Sequence, residues 1–400
     1  MKRVLVITNR YPCDADDLAS PFVPHFVAAV SRCGVDVDVL TPRYTHRPPC
    51  HEPGFIHRFE TGASSPVGSW NLASPASWIR LKKFVGAGHE LGRSLCRSHR
   101  YDHILALWAL PSGEFAYRLS REFKVHYSVW CLGSDIYSWA RRPVIKGQIA
   151  RVLRGAENVF GDGDDLCKRV RNWLGIGCDF LPSYRPLEGE LPAHVPGANQ
   201  APRYLYLGRV HPAKGTDELL DAFARVSRKL PGAILRFVGD GPDLPRLRQK
   251  SQRLGLNHSV SFTGPVGRTE ILAAYRDCDF VVIPTKSDSL PLVFSEAVQA
   301  RRPVIGADVG DLGAFIRRFH VGIVCGSADP ALLAAAMQQM AYQPVFSAAG
   351  RALLLKLLDP NAAAVTFCRS AFGADFAPGV PVSSHDHIAP AVEDEVTVHR

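Results

Sequence analysis

The chain of 400 residues is 46% hydrophobic and 21% charged, which excludes general disorder and, at about 100–200 residues per domain, favours two domains. Its ten cysteines form no C-x-x-C pair and no cluster with histidines, which excludes a disulfide scaffold and a zinc site. The net charge of +9 lies mainly in the first half, a balance compatible with nucleic acid, anionic lipid or a phosphorylated substrate.

The start of the chain does not resemble an export signal. Met1-Lys2-Arg3 is followed only by Val4-Leu5-Val6-Ile7 before polar residues, which is too short for the apolar core of a signal peptide. A run of about 18 apolar residues, as a membrane-spanning helix needs, is not found in the sequence. We therefore expect a cytoplasmic protein.

Short β-branched segments alternate with helical patterns in the first half, which predicts parallel strands joined by crossover helices. After Pro182 a segment rich in Pro, Gly and Glu extends to Pro202, and we place the domain boundary there. The strands predicted before it are Val4–Thr8, Val35–Leu40, His103–Leu107, Val125–Val129 and Asn158–Phe160.

The same alternation restarts after the boundary and predicts a second doubly wound sheet. Amphipathic helices are expected over Thr216–Lys229 and Leu244–Leu254. The predicted organisation is an N-terminal domain over 1–185, a linker over 186–202, a C-terminal domain over 203–375 and a disordered tail over 376–400. The strands of the second domain are Arg203–Leu207, Ile234–Val238, Val260–Thr263, Phe280–Pro284, Val304–Gly306 and Gly322–Val324.

A basic loop from Gly208 to Thr216 follows the first of these strands and precedes a helix. Gly208 permits a tight turn, Arg209 can donate two parallel hydrogen bonds to phosphate, and Lys214 adds a point charge near the helix start. Together they could hold a diphosphate without Mg²⁺. On spacing alone, two solvated surface cations are an equally good interpretation.

An acidic loop and helix start form the second candidate, over Pro284–Glu296. Asp288 lies in the predicted loop, and Glu296 follows about two helical turns later, so one ligand across the helix start could meet both. Helix capping by Asp288 and a buried structural role for Glu296 are the alternatives. A third segment, Gly239-Asp240-Gly241-Pro242, is by itself only the turn between a strand and a helix.

From Tyr204 to about Met340 these blocks, in this order and spacing, resemble the donor domain of the retaining family 4 glycosyltransferases. The amino half resembles the family less closely, through Ser20-Pro21-Phe22-Val23 and Leu132-Gly133-Ser134-Asp135. The resemblance implies the GT-B fold, an α/β architecture in which two doubly wound Rossmann-like domains face a cleft.

The resemblance also implies roles for individual residues. The implied catalytic residues are Arg209 and Lys214 on the donor diphosphate and Asp288 on the donor sugar, with Glu296 accepting hydrogen bonds from the ribose hydroxyls. The acceptor side is implied to include Ser20, Ser134 and Asp135. The remaining implied donor contacts are Gly208, Gly239, Val266 near the nucleobase, Ser289, Leu290, Pro291 and Leu292.

The chain departs from the family pattern at four places. Asp288 stands where the family has Glu, Leu132 where it often has His, and Ser20 where a glycine is usual; Gly313-Ala314 replaces an expected acidic residue. Leu132 cannot hydrogen-bond, so Ser134 and Asp135 are the polar groups left at that place.

The implied reaction moves a sugar from a nucleotide-sugar to a glycan or lipid-linked acceptor with retention and with no cofactor or metal. A nucleotide-sugar epimerase and a non-catalytic nucleotide-sugar-binding protein are the alternatives. The basic segment Trp78–Val85 allows peripheral contact with an anionic membrane at its inner face, although a helix that packs its apolar side inward is favoured. Nucleic acid is not expected as a partner, because no stacking platform accompanies the basic residues.

Overall fold

The computed structural model describes residues 1–13, 17, 20–44, 54–62, 67, 70, 74–187, 189, 191, 192 and 201–379. Within these residues two parallel sheets are present, one of seven strands and one of six. No helix in these ranges is long and apolar enough to cross a membrane. The two sheets with their connecting helices confirm the predicted α/β class.

The seven-stranded sheet has the order β3-β2-β1-β4-β5-β6-β7, and β1 pairs in parallel with both β2 and β4. Strand β1 is paired on both sides, and its residues Val4 to Ile7 are apolar and at most 1% exposed, as expected where helices cover both faces. The strands are β1 Lys2–Ile7, β2 Val35–Arg43, β3 Ile56–Glu60, β4 His103–Leu107, β5 His126–Cys131, β6 Asn158–Gly161 and β7 Asp179–Phe180.

Helices connect the strands of this first series. Helix α3 shows how the sequence folds locally: its apolar positions Phe115, Ala116 and Leu119 are buried, and it ends at Lys124 in the left-handed conformation. The helices are α1 Phe22–Arg32, α2 Pro75–Ser98, α3 Ser112–Phe123, α4 Ser134–Tyr137, α5 Pro143–Gly155 and α6 Asp164–Leu174, with a 3₁₀ turn at Trp139–Arg141.

The six-stranded sheet has the order β10-β9-β8-β11-β12-β13. Its core contains Phe223 of the helix after β8, Phe237 and Phe280 of the strands, and Met337 of a later helix, each fully buried. The strands are β8 Arg203–Leu207, β9 Ile234–Val238, β10 Val260–Gly264, β11 Phe280–Ile283, β12 Val304–Gly306 and β13 Gly322–Val324.

The helices of this second series alternate with its strands and then continue to the end of the described chain. A 3₁₀ turn at Pro212–Lys214 precedes the first of them. They are α7 Thr216–Lys229, α8 Leu244–Arg253, α9 Arg268–Arg276, α10 Leu292–Gln299, α11 Leu312–Phe319, α12 Pro330–Tyr342, α13 Ala348–Leu357 and α14 Pro360–Phe372.

Contacts divide the chain into two compact units whose borders differ from the predicted ones. The first unit contains the described residues of Met1–Trp130, Arg151–Asn158 and those from Ala363 onward; the second contains Cys131–Ala150 and Val159–Ala362. The sequence placed a single border in the segment 186–202, because composition cannot show that the chain enters one unit more than once. Part of that segment lies outside the described residues.

Most of the last helix, α14, belongs to the first unit because of its packing and hydrogen bonds there. Phe367 of α14 packs against Phe26 of α1, with ring centroids 5.9 Å apart, and the amide of Asn158 donates to the carbonyl of Ser370 at 3.1 Å. A contiguous C-terminal domain over 203–375 therefore does not match the contact division.

The first residues of the predicted tail make contacts with the first unit. The ring of Phe376 packs against that of Phe372 in a tilted arrangement with centroids 5.3 Å apart, and the N–H of Gly379 donates to the carbonyl of Cys33 at 2.9 Å. Residues 376–379 are thus held by contacts, and residues 380–400 lie outside the described part of the chain.

Candidate functional site

The loops after strands β8, β9 and β10 are joined to each other by backbone hydrogen bonds within the second unit. The N–H of Gly208 donates to the carbonyl of Val238 at 2.9 Å, and the N–H of Gly239 donates to the carbonyl of Gly264 at 2.8 Å. These loops lie at the C-terminal edge of a parallel sheet, where doubly wound folds bind ligands. Gly208, Gly239 and Val266 therefore share one edge.

Glycine is required at Gly239 and Gly215, because the backbone of a neighbouring loop approaches each of them closely. Gly239 has φ +130°, and a Cβ built on it would lie 2.0 Å from the carbonyl oxygen of Gly208. Gly215, with φ +69°, would place a Cβ 2.0 Å from the carbonyl oxygen of Pro284. A side chain at either position would push two strand-end loops apart.

The structure joins the basic loop to the acidic loop through a direct ion pair. The ammonium of Lys214 donates to Oδ2 of Asp288 at 2.5 Å, and the hydroxyl of Thr285 donates to the same oxygen at 2.9 Å. Lys214 and Asp288 keep 34% and 23% of their side chains exposed. The cation and carboxylate therefore remain accessible to a ligand while they neutralise each other.

Arg209 lies in the same loop with its side chain exposed. Its backbone is fixed, because the buried Tyr206 hydroxyl donates to the carbonyl of Arg209 at 2.7 Å. Among the described residues its guanidinium has no recorded ion-pair partner, unlike the ammonium of Lys214. The loop thus presents one exposed cation and one cation paired with Asp288.

Glu296 lies in a buried network on α10 and does not line an open surface. Only 3% of its side chain is exposed; the guanidinium of Arg185 lies 2.6 Å from its Oε1, and the hydroxyl of Tyr275 donates to its Oε2 at 2.9 Å. Burial and the adjacent Glu296 carboxylate raise the pKa of Tyr275 well above its usual value, so its hydroxyl stays a donor. A ligand that reaches Glu296 must use the remaining lone pairs of an already engaged carboxylate.

The segment between Asp288 and α10 is compact. Ser289 and Leu290 are 3% and 6% exposed, and Pro291 precedes the first helical residue, Leu292. The backbone N–H groups at such a helix start have no partner within the helix and favour an anionic or polar ligand.

A buried group of carboxylates lies beside Ser289. Asp162 and Asp311 are 6% and 5% exposed, and Asp311 accepts hydrogen bonds from the backbone N–H of Asp165 at 3.1 and 3.2 Å. A Cβ built on Gly163 would lie 2.2 Å from Oδ2 of Asp311 and 2.4 Å from the Ser289 hydroxyl oxygen. Gly163 therefore allows these groups to approach.

Burial governs the protonation of both aspartates. Burial, opposed by the backbone N–H of Asp165 and reinforced by the charges of Asp164 and Asp165, raises the pKa of Asp311 to about 6. Burial, opposed by the nearby Ser289 hydroxyl, raises the pKa of Asp162 well above its ordinary range.

The three predicted acceptor-side residues are in different environments. Asp135 is 1% exposed, and its Oδ1 accepts from the backbone N–H of Leu132 at 3.3 Å and of Ile136 at 3.1 Å. This geometry fixes a turn and leaves the carboxylate buried, whereas Ser134 is exposed at the start of α4. Ser20 lies in the first unit with φ +54°, a left-handed conformation that a glycine would adopt without strain.

Four polar residues of this region were not anticipated from the sequence. Asp162 and Asp311 follow strands β6 and β12, so their position after a parallel strand was a usable signal. Arg185 is the last residue of the predicted N-terminal domain, in the proline-containing segment where the domain boundary was placed. Tyr275 lies on an ordinary amphipathic helix, and neither residue carries a sequence signal. Among the described residues, no group of three or more His, Cys, Asp or Glu side chains is arranged to hold a metal ion.

Two family descriptions match the chain. "Glycosyl transferases group 1" matches residues 192–347, and "Glycosyl transferase 4-like domain" matches residues 19–177. Glycogen synthase of Mycobacterium tuberculosis is 24% identical over 86% of this chain and 86% of its own length. A D-inositol 3-phosphate glycosyltransferase of Rhodococcus erythropolis is 36% identical over 30% of this chain and 28% of its own length.

Solved structures share the fold. Sucrose-phosphate synthase of Thermosynechococcus elongatus superposes with a TM-score of 0.75 at 20% identity, covering 92% of this chain and 98% of that protein. Anabaena Alr3699/HepE, solved in complex with UDP and glucose, superposes with a TM-score of 0.67 at 16% identity, covering 92% of this chain and 99% of that protein.

Proposed function

Because the chain belongs to family 4 of the glycosyltransferases, we propose that it transfers a sugar from a nucleoside-diphosphate sugar to a glycan or lipid-linked acceptor, with retention and without a catalytic metal. The observation that carries the proposal is the paired Lys214 and Asp288 at joined strand-end loops, next to the exposed Arg209. Lys214, the cation for the leaving group, and Asp288, the carboxylate for the sugar, are thus in direct contact.

Arg209 and Lys214 bind the diphosphate in this proposal. The leaving nucleoside diphosphate gains negative charge as the bond to the sugar breaks, and fixed cations stabilise that charge. Removal of one comparably placed oxyanion donor costs about 3–4 kcal/mol in other enzymes. The two cations take over the role of a bound Mg²⁺, and the reaction should therefore continue in excess EDTA.

Asp288 contacts the donor sugar, where positive charge develops at the anomeric carbon. The leaving phosphate accepts the proton of the acceptor hydroxyl on the same face of the sugar, which retains the anomeric configuration. Leu132 has no polar atom in its side chain, so the exposed Ser134 is the neighbouring group that can hydrogen-bond to an acceptor. The buried Asp135 supports the turn that carries Ser134.

The nucleoside lies against groups that do not change charge. Glu296 accepts hydrogen bonds from ribose hydroxyls, and the base contacts the backbone near Val266. Glu296 therefore contributes binding that is equal in ground and transition states. The base itself, the sugar and the acceptor are to be identified by screening.

The relatives that match this chain include a glycogen synthase and a D-inositol 3-phosphate glycosyltransferase, which favours transfer over the two alternatives. An epimerase on this fold would convert the donor sugar without an acceptor. A non-catalytic protein would bind the donor and release it unchanged. Incubation of the donor alone, followed by analysis of the sugar, identifies an epimerase, and incubation with an acceptor library separates a transferase from a non-catalytic protein.

The exposed N-terminal part of α2 supports a second proposal, peripheral contact with an anionic membrane that carries a lipid-linked acceptor. Ile79 is 61% exposed and lies beside the exposed cations Arg80, Lys82 and Lys83, whereas Phe84 of the same helix is fully buried. An exposed apolar side chain among cations suits an anionic lipid surface. Flotation with vesicles containing phosphatidylglycerol tests it: wild-type protein should float, and Ile79→Ser with Lys82→Gln and Lys83→Gln should not.

The main proposal is tested in two steps. Thermal-shift screening against UDP-, GDP- and ADP-sugars identifies the donor, because a ligand that binds only the folded state raises the melting temperature with its affinity. Transfer to an acceptor library is then followed in excess EDTA, and the anomeric configuration of the product is read by NMR. Loss of activity in EDTA with recovery on adding Mg²⁺, or an inverted product, would contradict the proposal.

A further inference from the structure

The carboxylate of Glu296 has a fixed orientation that comes from outside its own helix. It lies on α10 with 2% of the residue exposed, and its two oxygens are held separately, Oε1 by Arg185 at 2.6 Å and Oε2 by Tyr275 at 2.9 Å. Each oxygen keeps a further lone pair, so two adjacent ligand hydroxyls could still donate to it.

Arg185 is itself anchored to the same helix. The side-chain amide of Gln299, three residues after Glu296, donates to the carbonyl of Arg185 at 2.9 Å and accepts from the N–H of Leu187 at 2.8 Å. Only 6% of Arg185 is exposed, and its Nε–H has no partner among the described residues. The segment from Arg185 to Leu187 is therefore clamped to α10 by backbone and side chain together.

A buried carboxylate keeps one direction only while its oxygens have donors. Arg185 supplies a planar, charged donor to Oε1 of Glu296. Tyr275 supplies a hydrogen bond to Oε2 but no charge. The direction of the Glu296 carboxylate therefore depends on Arg185.

We propose that Arg185 is a positioning residue for donor binding, which holds the Glu296 carboxylate aligned to receive the ribose hydroxyls of the nucleotide. This inference rests on the proposed ribose role of Glu296. The alignment of Glu296 by Arg185 is the same in the ground state and in the transition state. Loss of Arg185 should therefore raise the donor KM and leave kcat within about threefold, as removal of uniform binding does.

The test is calorimetric binding of the free nucleoside diphosphate that gives the largest thermal shift among UDP, GDP and ADP. Four variants of the full chain are compared: Arg185→Met, Arg185→Lys, Glu296→Gln and the double variant Arg185→Met with Glu296→Gln. Arg185→Met removes a hydrogen bond between charged groups, the one that aligns Glu296, and loss of such a bond has a large free-energy cost. We therefore expect Arg185→Met to weaken binding of the nucleoside diphosphate about tenfold or more. Arg185→Lys keeps the charge and should weaken binding less, and it also serves if the methionine variant does not fold.

A control variant separates positioning from stability. Arg203 pairs with the buried Asp279 at 2.9 Å, and these residues lie at the starts of β8 and β11, the opposite edge of the sheet from the strand-end loops. Arg203→Met breaks the same kind of contact. It should lower the melting temperature and leave the dissociation constant within about twofold, since only the fold depends on it.

The double variant gives the decisive comparison. With Glu296 already neutral, Arg185→Met should change the dissociation constant by less than about twofold, because coupled residues are not additive. Three results would overturn the positioning role of Arg185 without affecting the ribose assignment. They are a double variant whose dissociation constant shows the product of the two single-variant fold-changes, an unchanged dissociation constant in Arg185→Met, and equal weakening in Arg203→Met. If Glu296→Gln binds the nucleotide as wild type does, the ribose assignment fails and the inference falls with it.

Discussion

Replacing Asp288 by asparagine should tighten binding of the free nucleoside diphosphate while it slows transfer. Asp288 pairs with Lys214 at 2.5 Å, so a diphosphate must compete with a carboxylate for this cation. The asparagine side chain keeps nearly the same shape and can still accept from the hydroxyl of Thr285, which Asp288 does at 2.9 Å. The substitution therefore removes charge and little packing.

The expected change in nucleotide affinity follows from the solvent exposure of the Lys214 and Asp288 side chains. Two unit charges about 4 Å apart attract by about 4 kcal/mol at an effective dielectric constant of about 20. The side chains are 34% and 23% exposed, and water and salt reduce the net value of such a pair to about 1 kcal/mol. We expect binding of the nucleoside diphosphate to tighten about fivefold, and the gain to shrink as ionic strength rises.

Titration calorimetry at low and high salt measures this change, and steady-state kinetics with the identified donor measures transfer. The ion pair between Lys286, in the same loop as Asp288, and Glu218, in the first turn of α7, provides the control. Glu218→Gln should leave the affinity for the nucleotide unchanged. Unchanged or weaker binding in Asp288→Asn would refute the idea that Asp288 competes with the diphosphate.

Three further predictions follow from the same geometry. Glu296→Gln should raise the donor KM and leave kcat nearly unchanged, as measured by steady-state kinetics, and a fall in kcat alone would contradict it. Gly239→Ala should lower the melting temperature and abolish nucleotide binding, because its Cβ would lie 2.0 Å from a carbonyl oxygen; wild-type behaviour would contradict the loop contact. Asp311→Asn should change the pH dependence of stability. Since burial raises the pKa of Asp311 from its ordinary 3.8 to about 6, its contribution is full below pH 3.8 and is lost as pH rises toward 6, by roughly 2–3 kcal/mol. Melting curves from pH 4 to 8 should show wild type losing stability relative to Asp311→Asn over this range, and parallel curves would contradict it.

The regular parts of the fold were predictable because their sequences carry one dominant pattern. Strand β8 is an apolar segment between turn residues, and helix α7 has buried positions at helical spacing; both were predicted with the observed bounds. Strand β3, Ile56–Glu60, was missed because it reads Ile-His-Arg-Phe-Glu, with Phe59 buried and its other residues half-buried or exposed. Its identity as a strand comes from pairing with β2.

The chemistry at the site was predictable residue by residue, but the contacts were not. Lys214 and Asp288 were both selected from the sequence, as diphosphate and sugar ligands, and their mutual ion pair depends on how two loops 74 residues apart are joined. Arg185 could not have been selected, because its segment is rich in proline and resembles a linker. Its partner Glu296 was selected, and tertiary packing alone brings the two together.

The most direct test of the proposed function is calorimetric titration of UDP, GDP and ADP into wild type, Arg209→Ala and Lys214→Ala in excess EDTA. We expect one nucleotide to bind wild type without metal. Each alanine variant should bind it at least about tenfold more weakly, with an unchanged circular dichroism spectrum, since a charge-assisted hydrogen bond is worth about 1.5–3 kcal/mol. Binding that requires Mg²⁺, or equal affinity in all three proteins, would contradict a diphosphate site built from Arg209 and Lys214.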